Sequence, residues 1–177
     1  MNEGTLTSVV GDATKPAQIG HVPIVIPHCC NDRGLWGAGF VIALNNAFGE
    51  LPMTSYQRWH KAGKWSDKKE KGILVPSPKF ELGAVQFVKT THQIAIANMI
   101  GQHGVRGDHP TRPPIRYGAL STAMQAVAKF AKSFKAQIHC PMFGSDLAGG
   151  DWKVILQLIE EHWLDNGIDV TVYEFKK

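Results

Sequence analysis

The segment from residue 22 to residue 49 most constrains the fold, because an apolar run passes through a glycine-punctuated loop into a helical pattern. The run over residues 22–29 is apolar without alternation, which predicts a strand buried on both faces. Apolar residues resume at helical spacing over residues 40–48, and Gly49 is a natural stop for that helix. A strand that leads through such a loop into a helix presents backbone N–H groups and a helix dipole to an anion. The segment therefore predicts an α/β unit with an anion-binding loop.

Strand and helix patterns alternate along the rest of the chain. Further strands are predicted over residues 6–10, 84–89, 93–100, 137–142 and 169–175, and further helices over residues 52–62, 116–134 and 151–164. The charged residues 64–71 are expected to be exposed, and residues 90–92 to form a turn between two strands. Such alternation is typical of an α/β sheet covered by helices on both faces. No linker rich in Ser, Gly or Pro divides the 177 residues, which predicts a single domain over residues 1–177.

Composition and charge exclude several classes of protein. The hydrophobic fraction of 44% is ordinary for a globular domain, and no apolar run approaches the length of a membrane span. The first residues lack the basic and apolar regions of a signal peptide, so we expect a cytoplasmic protein with no membrane partner. The formal charge of +4 arises from 19 Lys and Arg against 15 Asp and Glu. The basic residues are mostly scattered, which is typical of solvated surfaces rather than of a nucleic-acid groove.

A second glycine-rich loop covers residues 144–150, directly after a predicted strand. It leads into a helix for which Asp151 is a natural N-cap. Neither loop has the spacing of a dinucleotide fingerprint or of a P-loop, which argues against a Rossmann dehydrogenase or a P-loop ATPase. Turns that need positive φ would by themselves explain the glycines of the first loop. However, ligands bind beyond the carboxyl ends of the strands in such sheets, and two glycine loops at that edge can hold a diphosphate between them.

Polar residues follow the predicted strands. Asp12 can accept a hydrogen bond from an amino group of a ligand, or it can form an Asx turn. Asn31 and Asp32 can bind sugar hydroxyls or brace their own loop. His28 is a candidate general acid or base, with a hydrogen-bonded core histidine as the alternative. His103 and His109 flank a short loop that could approach the same edge.

The aromatic residues and the cysteines can each have either a functional or a structural role. Trp36 can stack on a ligand or pack on the next helix. The candidates for stacking on a ligand base are Phe143, Tyr173 and Phe175, although their place in or beside strands favours core packing. The cysteines, at positions 29, 30 and 140, end apolar runs, which favours buried reduced thiols over a disulfide. No histidine pair has metal-site spacing and no C-x-x-C clamp is present, so we predict neither a metal nor a cofactor.

The motifs resemble those of the macro domains, a family of ADP-ribose-binding modules, over nearly the whole chain. The resemblance implies a three-layer α/β/α fold with a central mixed, mostly parallel sheet. Residues 11–14 (Gly-Asp-Ala-Thr) are similar to the family's first-strand motif, whose aspartate binds the adenine amino group. Residues 31–40 resemble the loop that receives the distal ribose and diphosphate, and residues 143–150 resemble the second phosphate loop.

The segment from His28 to Asn31 and the Gly-Leu-Trp-Gly-Ala-Gly at 34–39 are most similar to the branch that includes the ADP-ribose-1″-phosphate phosphatases. Ala38 replaces the middle glycine of that run, which requires a negative φ at this position. Hydrolases that remove ADP-ribose from glutamate use a lysine and an aspartate. Here Gln102 or His103 and Ala148 match those positions, which argues against that mechanism.

The resemblance implies that the protein binds ADP-ribose and hydrolyses a derivative at C1″, either ADP-ribose-1″-phosphate or an ADP-ribosyl linkage. The alternative is a non-catalytic reader of free or protein-linked ADP-ribose, with an ADP-ribosylated protein as partner. His28, Asn31 and Asp32 are the implied catalytic residues. The implied ligand-binding residues are Gly11, Asp12, Ala13, Thr14, Asn31, Gly34, Leu35, Trp36, Gly37, Ala38, Gly39, Phe40, Phe143, Gly144, Ser145, Asp146, Leu147, Ala148 and Gly149.

Overall fold

Six strands form one sheet in the computed structural model, which describes residues 2–16, 21–63, 70–91 and 93–176. The strands are β1 (Leu6–Val10), β2 (Ile24–Asn31), β3 (Val85–Lys89), β4 (Ile94–Gln102), β5 (Gln137–Pro141) and β6 (Val170–Glu174). They lie in the order β1-β6-β5-β2-β4-β3, and every neighbouring pair is parallel except β3 with β4. The prediction of a mixed, mostly parallel sheet is confirmed.

The helices follow the predicted pattern closely. They are α1 (Phe40–Phe48), α2 (Leu51–Ala62), α3 (Tyr117–Phe134) and α4 (Trp152–Ile159). Gly49 ends α1 with φ at 76°, as predicted. The segment predicted as one helix over residues 151–164 changes at Glu160 into a π-helical turn, Glu160–Leu164. Residues 64–69 of the expected exposed segment and residue 92 of the predicted turn lie outside the described residues.

One face of the sheet packs against α3 and α4. Leu120, Met124 and Val127 recur at helical spacing along α3 and are fully buried. They join Ile155 and Ile159 of α4 in the larger hydrophobic core. The spacing of apolar residues in the sequence predicted this face of α3, because helical neighbours on one side recur every three to four residues.

The other face of the sheet packs against α1 and α2. Leu44 of α1 packs with Ile26 and Ile96, and the aromatic residues of α2 pack with Cys30 and Ile100. Val25, next to Ile26 in β2, belongs instead to the core on the α3 side. The strand is therefore buried on both faces as its continuous apolarity predicted, and the three-layer α/β/α architecture is confirmed.

The parallel strands bring their following loops to a single edge. The loops after β1, β2, β4 and β5 all leave the sheet there, because the carboxyl ends of parallel strands point the same way. This edge carries both glycine loops. No helix within the described ranges is long and apolar enough to cross a membrane.

Candidate functional site

A cleft of about 330 Å³ opens at this edge, between the loop after β2 and the loop after β4. Six predicted site residues line it: Asn31, Leu35, Trp36, Gly37, Ala38 and Leu147. The other lining residues are Cys29, Cys30, Val41, Gln102, Val105 and Arg106. The first glycine loop and the tip of the second therefore face the same space.

A second cavity of about 260 Å³ adjoins the cleft. Arg106 and Leu147 line both spaces, so the two are adjacent parts of one groove. The remaining lining residues are Gly107, His109, Pro110, Thr111, Arg112, Pro113, Pro114 and Gly149. Most of this second wall belongs to the loop between β4 and α3.

The three glycines of the first glycine loop differ in backbone conformation. Gly34 and Gly39 have φ values of 73° and 81°, in the region that favours glycine. Gly37 does not have a positive φ, so the interpretation of all three glycines as positive-φ positions is wrong for this residue. Ala38 also has no positive φ, so an alanine can replace the middle glycine of the run at this position.

Gly39 is also the N-cap of α1, and no side chain caps this helix end. The first N–H groups of a helix lack intrahelical partners and attract anions together with the helix dipole. A Cβ placed on Gly39 would lie 3.2 Å from Cδ1 of Leu147, so the two loops approach each other closely at this point. Phe40 begins α1, and its ring lies 5.9 Å from that of His28.

The second glycine loop is held by its own backbone. Gly144 and Gly149 adopt φ values of 75° and 73°, and the Gly150 N–H donates to the Gly144 carbonyl at 2.8 Å. The Ser145 hydroxyl donates to the Met142 carbonyl at 2.7 Å, and the Asp146 carbonyl accepts from Gly149 N–H at 2.9 Å.

The residues that flank this loop also have structural roles. Ala148 is buried, and its carbonyl accepts the Ile115 N–H at 2.9 Å. Asp151 caps α4 by accepting from Lys153 N–H at 2.9 Å, which confirms the predicted N-cap. Of the described loop residues, Leu147 is the one that reaches both cavities.

The three aromatic candidates for base stacking have different environments. Phe143 is buried, 5.9 Å from the ring of Trp152 and 5.6 Å from that of Trp163. Tyr173 is also buried, and its hydroxyl lies 2.8 Å from Nδ1 of His139. Phe175 is 70% exposed. Core packing thus accounts for the first two rings, and only the third presents its face at the surface.

The side chain of Asn31 braces the first glycine loop. Its Oδ1 accepts from the N–H groups of Arg33 and Leu35 at 3.0 and 3.1 Å, and the Tyr56 hydroxyl donates to the Asn31 carbonyl at 2.5 Å and lies 3.0 Å from Oδ1. Its Nδ2 donates to the Leu35 carbonyl at 2.8 Å. The bulge between Cys30 and Asn31 in the pairing with β4 turns this residue into the loop.

Two acidic side chains join the loop after β2 to the loop after β4. Asp32 accepts from Gly104 N–H at 2.8 Å, and its second oxygen lies 2.7 Å from Nδ1 of His103. Arg33 pairs with Asp108 at 2.7 Å. The Val105 N–H and the Arg33 guanidinium both hold the pKa of the Asp108 carboxyl below its usual value.

His28 lies beneath the cleft and lines neither cavity. It is 2% exposed, and its Nε2 is 2.6 Å from Oδ1 of Asn98. Burial lowers the pKa of His28 to about 4, although the hydrogen bond to Asn98 acts in the opposite direction. The ring is therefore neutral near pH 7. This geometry matches the alternative of a hydrogen-bonded core histidine rather than a catalytic group in contact with a ligand.

Trp36 connects this buried histidine to the cleft. Its ring meets His28 edge-on at 5.3 Å and lies 5.5 Å from Tyr56, while its Nε1 donates to Asn45 Oδ1 at 3.1 Å. Trp36 also lines the cleft. The predicted packing on the next helix is therefore confirmed, and stacking on a ligand stays a prediction for this lining residue.

Cys29 and Cys30 form part of the cleft wall and were not predicted as site residues. Burial raises the pKa of the Cys29 thiol to about 12 and that of Cys30 well above its usual value. Thiols with such pKa values stay protonated at neutral pH and are poor nucleophiles. Both therefore contribute shape rather than covalent chemistry.

The first-strand turn lies away from the two cavities. Asp12 Oδ1 accepts from both the N–H and the hydroxyl of Thr14, at 2.8 and 2.7 Å, which forms the Asx turn that was one of the two alternatives for this residue. Ala13 and Thr14 are buried, and the Gly11 N–H donates to the Glu174 carbonyl at 3.0 Å. The turn leaves the same edge of the sheet as the cleft.

The sequence did not identify the loop between β4 and α3 as a principal wall of the groove. Gln102 and Arg106 both line the cleft, and Arg112 lines the second cavity. The available signals were the Gly-Val-Arg-Gly-Asp segment and its flanking histidines, of which His109 lines the second cavity. Loop residues have no periodicity, so the sequence alone does not show which side chains face the ligand space.

No protein-family model matches the chain. The chain is 27% identical over 177 residues to Chromodomain-helicase-DNA-binding protein 1-like from Mus musculus, and 26% identical over 169 residues to that of Danio rerio. It spans 18% and 15% of the lengths of these two curated relatives.

Solved structures match the chain over nearly its whole length. A protein of unknown function from Bacteroides thetaiotaomicron is 41% identical, with a TM-score of 0.83 and coverage of 98% of this chain and 99% of that one. DarTG of Thermosipho africanus, solved in complex with ADP-ribose, shares the fold at a TM-score of 0.66 with 15% identity, over 98% of this chain and 43% of that one. A macrodomain protein from Streptomyces coelicolor is 38% identical, with a TM-score of 0.75 over 96% of this chain and 98% of that one. The protein described here therefore belongs to the macrodomain family.

Proposed function

We propose that this macrodomain binds ADP-ribose at the edge of the sheet that carries the cleft of about 330 Å³, from Asp12 to Asn31, and hydrolyses an ADP-ribose derivative at C1″. The observation that supports this proposal most is the approach of the two glycine loops at Gly39 and Leu147, over a helix end that no side chain caps. A diphosphate placed between these loops would receive the first N–H groups of α1. The ADP-ribose in the Thermosipho africanus structure supports the same class of ligand.

The layout of the edge suits an elongated ligand. Asp12 follows β1 and Asn31 ends β2, and these strands are three places apart in the sheet. Neighbouring strands lie about 4.8 Å apart, which puts about 14 Å between the two strand ends. We assign the adenine to the Asp12 end, where Oδ2 would accept from the amino group, and the distal ribose to the Asn31 end. Phe175 is the exposed ring nearest in sequence to β6, which pairs with β1, and is the candidate to stack on the adenine.

At the distal end, Asn31 and Gln102 line the place assigned to the ribose. Asn31 Nδ2 has a second hydrogen beyond the one used by Leu35, and this hydrogen can bind a ribose hydroxyl. His103 follows Gln102 in the chain and lines neither cavity; its half-exposed ring lies beside the cleft wall, with Nδ1 2.7 Å from Oδ2 of Asp32. A carboxylate that fixes one ring nitrogen leaves the other free to take or give a proton.

For hydrolysis, we assign proton transfer to His103, with Asp32 as its positioning residue. With ADP-ribose-1″-phosphate, water attacks phosphorus, the bond from phosphorus to the C1″ oxygen breaks, and the products are ADP-ribose and phosphate. With an ADP-ribosyl linkage, water attacks C1″ and the linked group leaves. In this scheme His28 supports Trp36 from below and takes no part in proton transfer.

A non-catalytic reader of free or protein-linked ADP-ribose is the second candidate. One observation favours it: no aspartate, glutamate or lysine is found among the described residues that line the two cavities. The two thiols there are protonated, and the remaining ionisable groups are Arg106, His109 and Arg112. Such a lining binds anions well but lacks a carboxylate in direct contact with C1″.

Phosphate release from ADP-ribose-1″-phosphate, measured beside calorimetric titration with ADP-ribose, separates these functions. We expect wild type to bind ADP-ribose and to release phosphate. His103→Gln should bind normally and release phosphate at least about 100-fold more slowly, the usual contribution of a general acid or base. The exposed residue His21 provides a matched control, and His21→Gln should behave as wild type. Binding without turnover of this substrate or of an ADP-ribosylated peptide would favour the reader, and absence of binding would overturn both functions.

A further inference from the structure

The second cavity has a basic lining. Arg106, His109 and Arg112 line it, and no acidic residue is found among the described lining residues. Asp108, in the middle of this segment, turns its carboxylate to Arg33 and to the Val105 N–H instead. The cavity therefore presents positive charge to any group that enters it.

The arginines around the groove fall into two pairs. Arg33 makes an ion pair with Asp108, and Arg116 donates to the carbonyls of residues 113, 114 and 115 at 2.7 to 3.1 Å. Arg106 and Arg112 make no hydrogen bond or ion pair with any other residue that the structure describes. The first pair shapes the loops. The second pair is available to a ligand.

The wall that carries Arg112 is fixed at residues 113–115, which follow this arginine. The His103 N–H donates to the Pro114 carbonyl and the Ile115 N–H to the Ala148 carbonyl, both at 2.9 Å. Pro113 packs against Gly149, where an added Cβ would lie 2.7 Å from Cβ of the proline. The backbone beside Arg112 is therefore tied to the loop after β5 and to the start of the loop after β4, so the second cavity has one wall of fixed position.

We propose that the second cavity is a subsite for a carboxylate of an acidic peptide segment, carried by the ADP-ribose that occupies the neighbouring cleft. The inference rests on the proposed binding of ADP-ribose, because the cleft and the cavity share Arg106 and Leu147. The planar fork of a guanidinium matches the two oxygens of a carboxylate. The substrate class is thus an ADP-ribosylated protein with acidic residues beside the modified one.

A peptide fits the lining better than a nucleic acid does. Single-stranded nucleic acids are bound by aromatic side chains on which bases stack, together with basic side chains that contact the backbone. The described lining contains no tryptophan, tyrosine or phenylalanine, and its uncharged part is proline, threonine, glycine and leucine. Such walls accommodate an extended peptide without providing a stacking surface.

The test compares two synthetic peptides that carry one ADP-ribose through a linkage resistant to hydrolysis. One has glutamates beside the modified residue, and the other has glutamines there. We expect wild type to bind the glutamate peptide about tenfold more tightly than the glutamine peptide, as for a charge-assisted hydrogen bond. Arg112→Gln should remove most of this difference and leave the affinity for free ADP-ribose unchanged, because Arg112 lines only the second cavity. Arg58→Gln, at an exposed arginine of α2 outside both linings, is the control and should keep the difference.

The outcomes separate this inference from the function on which it rests. Equal affinity of wild type for the two peptides, with normal binding of free ADP-ribose, would overturn the subsite and leave the proposed function standing. Failure of free ADP-ribose to bind would overturn the proposed function itself. If an ADP-ribosylated oligonucleotide loses affinity in Arg112→Gln while the glutamate peptide does not, the assignment to a peptide is wrong and the cavity binds phosphates.

Discussion

Nε2 of His28 lies 2.6 Å from Oδ1 of Asn98, its direct neighbour across the parallel strands β2 and β4. Asn98 Nδ2 donates in turn to Gln86 Oε1 at 3.2 Å and to the Pro52 carbonyl at 3.3 Å. Gln86 Nε2 donates to the Ser55 carbonyl at 3.1 Å. This buried network joins three strands to α2 directly below Trp36, so it fixes the floor of the cleft.

Removal of the central amide should destabilise the fold strongly. Asn98→Ala leaves His28 and Gln86 buried without their partner, and we expect a loss of about 2–4 kcal/mol in the free energy of unfolding. Denaturant unfolding measures this loss. Gln157→Ala, at an exposed position of α4, is the control and should change stability by less than about 0.5 kcal/mol. A loss as small as that of the control would show that the network contributes little.

His28 should make stability depend on pH. Because burial lowers its pKa from 6.5 to about 4, the unfolded chain binds a proton below pH 6.5 that the folded protein does not accept until about pH 4. Stability contributed by the neutral ring is therefore present above pH 6.5 and is lost as pH falls to about 4, in total about 3 kcal/mol.

The measurement is the free energy of unfolding of wild type and His28→Gln between pH 4 and pH 7.5. The difference between the two proteins should shrink as pH falls, since glutamine does not titrate. A difference that stays constant over this range would contradict the low pKa of His28.

Gly39 should tolerate no side chain, in contrast to Gly37. With φ at 81° and ψ at −144°, Gly39 has a backbone conformation that L-residues rarely adopt, and a Cβ would crowd Leu147. We expect Gly39→Ala to lower the free energy of unfolding by about 1–3 kcal/mol. Gly37→Ala is the matched variant, because its φ is ordinary and no atom lies within 4 Å of the added Cβ. Equal stability of the two variants would mean that the strain at Gly39 is absent.

Asp108 should control the order of the loop after β4. Asp108→Ala removes both the acceptor of the Val105 N–H and the partner of Arg33. Amide hydrogen exchange should become faster at Val105 and its neighbours and stay unchanged in the central strands. Glu81→Ala removes the acid of a distant surface ion pair with Lys79 and serves as the control. Unchanged exchange at Val105 in Asp108→Ala would show that other contacts hold this loop.

The helices and strands could be predicted well from the sequence, because the residues that mark their ends and their burial lie within or next to each element. Gly49 ends a helix through its backbone conformation and Asp151 begins one through its side-chain cap, and the continuous apolarity of residues 22–29 indicates burial on both faces of a central strand. The π-helical turn at Glu160–Leu164 escaped prediction, since its apolar spacing differs little from that of an α-helix.

The role of His28 depends on contacts with residues that are distant in the sequence. A strand buried on both faces shows no alternation, so the pattern does not show which neighbours His28 meets. Its partner Asn98 lies 70 residues away. The register between β2 and β4 determines whether the His28 side chain meets Asn98 beneath the cleft or faces the cleft itself. That register is set by the packing of the whole sheet.

Titration with ADP-ribose, followed through the backbone amide NMR signals, shows whether this ligand binds at the edge of the sheet that carries both glycine loops. We expect shifts at residues 37–41, at residues 145–147 and at residues 12–14, the places assigned to the diphosphate and the adenine. Absence of shifts at saturating ligand, or shifts confined to residues outside these three segments, would contradict binding at this edge.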